Sequence, residues 1–170
     1  MNANGEQLIT HDLKKLRHAL SCFPTGVAVV TTIGTDGAPI GITISSFNSV
    51  SMDPPLILWS LTRRAGSLEA FKSHGAFAVN VLSAEQEPLC RHFAGAEGDR
   101  FADLAWRAGI EGIPVLEGAV AVFECRNWAL YPGGDHEIFL GEVVRYDHWD
   151  IVPLVFGKGR LSPLALPPLN

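Results

Sequence analysis

Positive charge is scarce in this chain of 170 residues: 13 Lys and Arg stand against 18 Asp and Glu, a formal net charge of −5 at neutral pH. No run of Lys and Arg interleaved with aromatics occurs, which argues against a nucleic-acid surface, where basic residues gather on one face. Long apolar stretches are also lacking. No span approaches the roughly 20 apolar residues that a membrane helix needs, so no membrane contact is expected. The opening MNANGEQLITHDLKK has neither the apolar segment nor the small-residue cleavage site of a signal peptide. There are only three cysteines, Cys22, Cys90 and Cys125, an odd number without close spacing and set among apolar neighbours. They are expected to be reduced and mostly buried, which points to the cytoplasm. The GxGxxG turn, the P-loop and the GxSxG elbow are absent, and no His, Cys and Asp stand at metal-ligand spacing, so no metal is expected.

What remains is a chain with 47% hydrophobic residues, enough for a real core, and no linker or repeat to divide it, so residues 1–170 are expected to form a single domain. Thr10 can cap a helix in which Leu13, Leu16 and Leu20 recur at three- and four-residue steps. VAVVTTI (residues 27–33), the turn Gly34-Thr35-Asp36-Gly37 and a returning strand over 39–52 read as a hairpin. Strands are expected at 56–61, 76–82, 116–131, 137–147 and 152–161, with helices at 67–74 and 84–94. The sum is an α+β, mainly β, barrel-like fold with short flanking helices.

The returning strand is unusual. ITISSFNSVSMDPP (residues 42–55) carries five hydroxyl side chains from Thr43 to Ser51 and no charge before Asp53, whereas a solvated strand face ordinarily mixes Thr with Lys or Glu. By period two, Thr43, Ser45, Phe47, Ser49 and Ser51 share one face, while Ile42, Ile44, Val50 and Met52 share the core face. A hydroxyl ladder pairing with sheet neighbours would have the same composition. So would the lining of a site for a neutral planar heterocycle, whose edge needs uncharged donors and acceptors.

Arg63-Arg64-Ala65-Gly66-Ser67 sets two guanidinium groups before a helix start, which suits a phosphate and equally suits an ordinary N-cap with solvated arginines. His136 follows Gly133, Gly134 and Asp135, where it is either a turn residue or a group beside which glycines let a ligand approach. Trp59, Trp106, Trp128 and Trp149 are not spaced as a stacking platform and read as core or interface residues.

Taken together, FPTGV (23–27), GITISSFNSVSMDPP (41–55), FAVNVL (77–82), GAVAVFEC (118–125) and GDH (134–136) resemble the flavin reductase-like family, which includes the reductase components of two-component flavin-dependent monooxygenases. The resemblance runs from about residue 13 to 161. It implies an FMN-binding split β-barrel, a homodimer, and reduction of FMN or FAD by NADH or NADPH for a separate flavin-dependent monooxygenase. It further implies that Thr43, Ser45, Ser46, Phe47, Ser49 and Val50 hold the ring system and ribityl chain. Arg64 and Ser67 would hold the phosphate, Phe93 and Arg100 would touch the flavin, and His136 would position the nicotinamide. Leu161 stands where many relatives carry an aromatic. The alternatives are a non-catalytic flavin- or haem-binding module, or an FMN-dependent reductase of another acceptor such as a corrinoid or an iron complex.

Overall fold

The run at 27–33 has no charged face, and the computed structural model, which describes residues 12–95 and 99–165, sets it between two cores. In chain order the elements are α1 (Leu13–Leu20), β1 (Thr25–Gly26), β2 (Ala28–Ile33), β3 (Pro39–Ile44), β4 (Asn48–Met52), β5 (Pro55–Thr62), α2 (Leu68–Ser73) and β6 (Ala76–Val81). A 3-10 turn (Ala84–Gln86) then runs into α3 (Glu87–Ala94). After it come β7 (Trp106–Ala108), β8 (Pro114–Leu116), β9 (Ala121–Gly133), β10 (His136–His148), β11 (Leu154–Gly157) and β12 (Arg160–Pro163). Seven strands make one sheet in the order β3-β2-β6-β9-β10-β5-β4, every pairing antiparallel. Small sheets β1-β11-β12 and β7-β8 flank it.

Side chains alternate along β2. Ala28 and Val30 join a core built around Trp59, Phe71, Phe77 and Phe139, while Val27 and Val29 join Leu82, Cys90, Phe93 and Phe101 on the other face. A strand covered on both faces reads as a continuous apolar run, not as an alternating one. In the first core Trp59 stacks on Phe139 at 4.5 Å between ring centres and meets Phe71 and Phe77 edge-on. The buried Asn80 side chain is matched on both its nitrogen and its oxygen. Asn80 donates to the Val29 carbonyl (3.0 Å) and to Thr31 Oγ1 (3.2 Å), and its Oδ1 accepts the Leu116 N–H (2.9 Å). One side chain thus fastens β8 to the sheet.

The expected hairpin is present, and β9 and β10 form a second. Gly34 and Gly37 close the β2–β3 turn, with Gly37 at φ 80°, and Gly134 at φ 71° opens the β9–β10 turn. The single strand expected over 39–52 is instead two. Pairing with β2 stops at Ile44, the backbone is irregular at residues 45–47, and β4 lies at the opposite edge of the sheet from β3. The cause is Ser46. Its hydroxyl donates to the Ser60 carbonyl (3.1 Å) and accepts the Ser60 N–H (3.0 Å), occupying the backbone groups a continued ladder would need.

The parity expected for Val50 and Met52 fails as well. Both are exposed, Met52 by 89%, because the β4–β5 register shifts between Ser49 and Ser51. Asp53 and Pro54 turn a tight β4–β5 hairpin.

Thr10 lies outside the described residues. Within them Asp12 caps α1, accepting the N–H groups of Lys14 (3.0 Å) and Lys15 (3.2 Å). The leucine stripe of that helix faces outward: Leu13, Leu16 and Leu20 are all exposed. Cys90 and Cys125 are buried as expected, but Cys22 is exposed. Trp59 is core, while Trp106, Trp128 and Trp149 are at the surface. No described helix is long and apolar enough to cross a membrane.

Candidate functional site

A cleft of about 800 Å³ opens between β3, the turn at residues 65–67, the C-terminal end of α3 and residues 99–101. That size lies within the range of small-molecule and cofactor sites. Its floor depends on a glycine. A Cβ built on Gly41 would fall 2.4 Å from Cε1 and 2.7 Å from Cδ1 of Phe93, so only a bare backbone lets that ring lie against β3. Phe93 is almost fully buried and packs edge-on to Phe101 at 5.2 Å. Arg100 straps the corner, donating from one guanidinium nitrogen to the carbonyls of Gly41 (3.0 Å) and Phe93 (3.5 Å).

Thr43 lines the wall, with its hydroxyl proton given to the Cys90 carbonyl (2.7 Å). What it can still offer a ligand is therefore lone pairs. Ser67 also lines the cleft. It occupies the cap position of α2, yet its hydroxyl makes no capping bond, contrary to the sequence expectation, and stays free beside the cavity.

Of the residues singled out from sequence, Thr43, Ser67, Phe93 and Arg100 are brought together around this cleft. Arg64 and His136 meet at a second place, the end of β5. His136 pairs across the sheet with Thr62, and Arg64 follows two residues later. The two adjacent arginines differ sharply. Arg63 is spent on Glu137, Nε to carboxylate at 3.0 Å, whereas Arg64 forms no ion pair among the described residues. His136 Nδ1 lies 2.7 Å from Asp135 Oδ1.

The remaining candidates stand outside the cleft walls. Ser45 is exposed beyond the end of β3, and Ser46 is held by β5. Phe47 stacks on Phe123 at 5.4 Å, and Ser49 and Val50 are exposed on β4 at the far edge of the sheet. Gly41 and Asp135 were not singled out from sequence. A glycine inside a strand is the signal that marks the first; an acidic residue beside a histidine in a tight turn is the signal for the second.

Burial pushes the Cys90 and Cys125 thiols above their ordinary range, which disfavours the thiolate form. No described cluster of His, Cys, Asp or Glu could hold a metal ion. The cleft therefore offers apolar surface, backbone groups, neutral hydroxyls and the side chains of Asp99 and Arg100, with Arg64, unpaired among the described residues, nearby. This chemistry suits a planar, hydrogen-bonding ring that carries a phosphate.

Residues 20–165 match the family model described as "Flavin reductase like domain". The chain is similar to FMN reductase (NADH) SmoA of Agrobacterium fabrum, with 47% identity over 149 residues, 88% of this chain and 84% of that protein. It is 37% identical to the reductase component of the flavin-dependent trigonelline monooxygenase of Acinetobacter baylyi, covering 91% of this chain but only 50% of that protein. In three dimensions it resembles the Streptomyces globisporus C-1027 NADH:FAD oxidoreductase SgcE6, in complex with NAD and FAD fragments. The TM-score is 0.87 at 42% identity, covering 94% of this chain and 97% of the other.

Proposed function

The chain belongs to the flavin reductase-like domain family, and from that membership we propose that it is an NAD(P)H-dependent reductase of FMN or FAD that supplies reduced flavin to a separate monooxygenase. The observation that carries this reading is the cleft beside Ser67, floored by Gly41 and Phe93 and walled by Thr43. Bound flavin would supply the hydride-accepting ring; the chain's part is to place that ring and the nicotinamide in contact, for which no acid or base is needed.

Thr43, Phe93 and Arg100 border the ring site, and by family resemblance alone Ser45, Ser46, Phe47, Ser49 and Val50, which stand outside the cleft walls, hold the rest of the ring system and ribityl chain. Arg64 and Ser67 hold the phosphate. The free guanidinium of Arg64 and the unspent hydroxyl of Ser67 support this role. His136 positions the nicotinamide.

NADH given to the purified protein with and without added FMN or FAD tests the activity. Flavin-dependent oxidation of NADH is expected; no oxidation with either flavin leaves a binding module in its place.

The phosphate assignment makes a sharper prediction. Arg64→Ala is expected to weaken FMN by about tenfold, the range of a charge-assisted hydrogen bond, and to leave riboflavin nearly unchanged. Fluorescence-quenching titrations with the two flavins measure this, and equal weakening of both would put the phosphate elsewhere.

The same reading includes a single domain across the chain, a cytoplasmic location, and a split barrel, whose closure is supported by the Ser46 link between the β3 side and β5. It also includes a homodimer, supported by the exposed Leu13, Leu16, Leu20, Trp128 and Tyr131. Light scattering should return twice the chain mass; a monomer mass would remove that element.

A further inference from the structure

His136 stands at the start of β10, in a turn that the fold holds firmly. The Asp135 carbonyl accepts the Arg63 N–H at 3.0 Å, Gly134 takes φ 71° to make the bend, and His136 pairs with Thr62 on β5. In this setting the Asp135 carboxylate lies 2.7 Å from His136 Nδ1. A carboxylate can only accept. Nδ1 must therefore carry the hydrogen, and in the neutral ring Nε2 is left with a lone pair.

We propose that Asp135 is a positioning residue: through Nδ1 it holds His136 in one tautomer, so that Nε2 serves as an acceptor for the carboxamide N–H of the nicotinamide nucleotide. The inference rests on the placement of His136 beside the nicotinamide given above. It adds what that placement leaves open, namely which hydrogen-bonding sense the histidine presents and what sets it. The neighbouring charges fit the arrangement. Arg63 and Glu137 neutralise each other across β5 and β10, and Arg64 leaves positive charge on the Asp135 side of the turn. The Asp135 carboxyl is held below its ordinary range, first by the hydrogen bond from His136.

An acceptor at Nε2 reads a ligand by its donor. It favours a carboxamide, with two N–H groups, over an acetyl group of similar shape that has none. A donor at Nε2 would remove that preference, because both groups carry a carbonyl oxygen. The tautomer is thus a specificity element for the nucleotide, set from outside the ring that touches it.

The experiment has a ligand-free arm and a kinetic arm. In the flavin-free, full-length protein, nitrogen-15 NMR of His136, at a pH where the imidazole is neutral, should show hydrogen on Nδ1. Asp135→Ala and Asp135→Asn should both move it toward Nε2, the asparagine because its amide N–H can itself donate to Nδ1, and Asp135→Glu should restore it. In steady-state kinetics, Asp135→Asn should raise KM for NADH about fivefold, the size of one neutral hydrogen bond, with kcat nearly unchanged. It should also erase the wild-type preference for NADH over the reduced 3-acetylpyridine analogue. A purely structural role would be preserved by the isosteric asparagine and lost on lengthening to glutamate. Hydrogen on Nε2 in the wild type overturns the proposal. If the tautomer is as stated but His136→Ala leaves the NADH dependence unchanged, the pair exists and it is the nicotinamide reading that falls.

Discussion

Gly41→Val is expected to collapse flavin binding and to destabilise the fold together. The added Cβ would lie 2.4 Å from Phe93 and 3.3 Å from Phe101, and neither ring has room to retreat, since both are buried and lean on each other. Forcing extra carbon into such a site costs about 1–3 kcal/mol. The backbone shift that relieves it must also move the Gly41 carbonyl that Arg100 grips and the wall that carries Thr43. A shift of that kind would weaken flavin at least tenfold in a fluorescence titration, with a lowered melting temperature alongside. Gly66→Ala is the control in the same cleft. A Cβ there meets nothing within 4 Å, so stability should be unchanged and any loss of flavin would come from ligand contact alone. A Gly41→Val protein that binds flavin as the wild type does would mean the ligand lies elsewhere.

The largest loss of stability is expected from Trp59→Ala. Trp59 is fully buried among Phe71, Phe77 and Phe139 and lies on β5, opposite Phe139 of β10. Emptying such a site costs about 3–5 kcal/mol. Set against a domain stability of about 5–15 kcal/mol, that is enough to leave the variant marginal or unfolded at 37 °C. Trp59→Phe separates volume from chemistry. The indole N–H has no hydrogen-bond partner although it is buried, so the phenyl ring loses packing but also removes an unsatisfied donor. Chemical denaturation should therefore place Trp59→Phe much nearer the wild type than Trp59→Ala. Similar losses for the two would show that ring size alone governs the site.

How much of this could be read from the residues depended on whether the signal was local. The β2–β3 hairpin was legible because Gly34 and Gly37 bracket its turn, and β6, α2 and α3 were legible from short apolar runs. The β7–β8 hairpin was not. Its residues show no alternation, and what holds them comes from far along the chain: Asn80 receives the Leu116 N–H, and Glu124 receives the Ile110 N–H at 2.7 Å.

The break at residues 45–47 was hidden for a related reason, because the hydroxyl run continues through it with unchanged composition. Ser46 differs from Ser45 only in meeting Ser60, and no period-two argument can see a partner on another strand. Within the site, Thr43, Ser67, Phe93 and Arg100 line one cleft, while Gly41 was passed over because it carries no chemistry of its own.

Ser46 also fixes where this protein can be cut or extended. The stretch on either side of it supplies both outer borders of the seven-stranded sheet, so one short link answers for the two ends of the structure. New sequence spliced between Asp36 and Gly37 would ride on an exposed bend. The same addition at residues 45–47 would pry the borders apart, and a permuted chain beginning there would have to find them again as strangers.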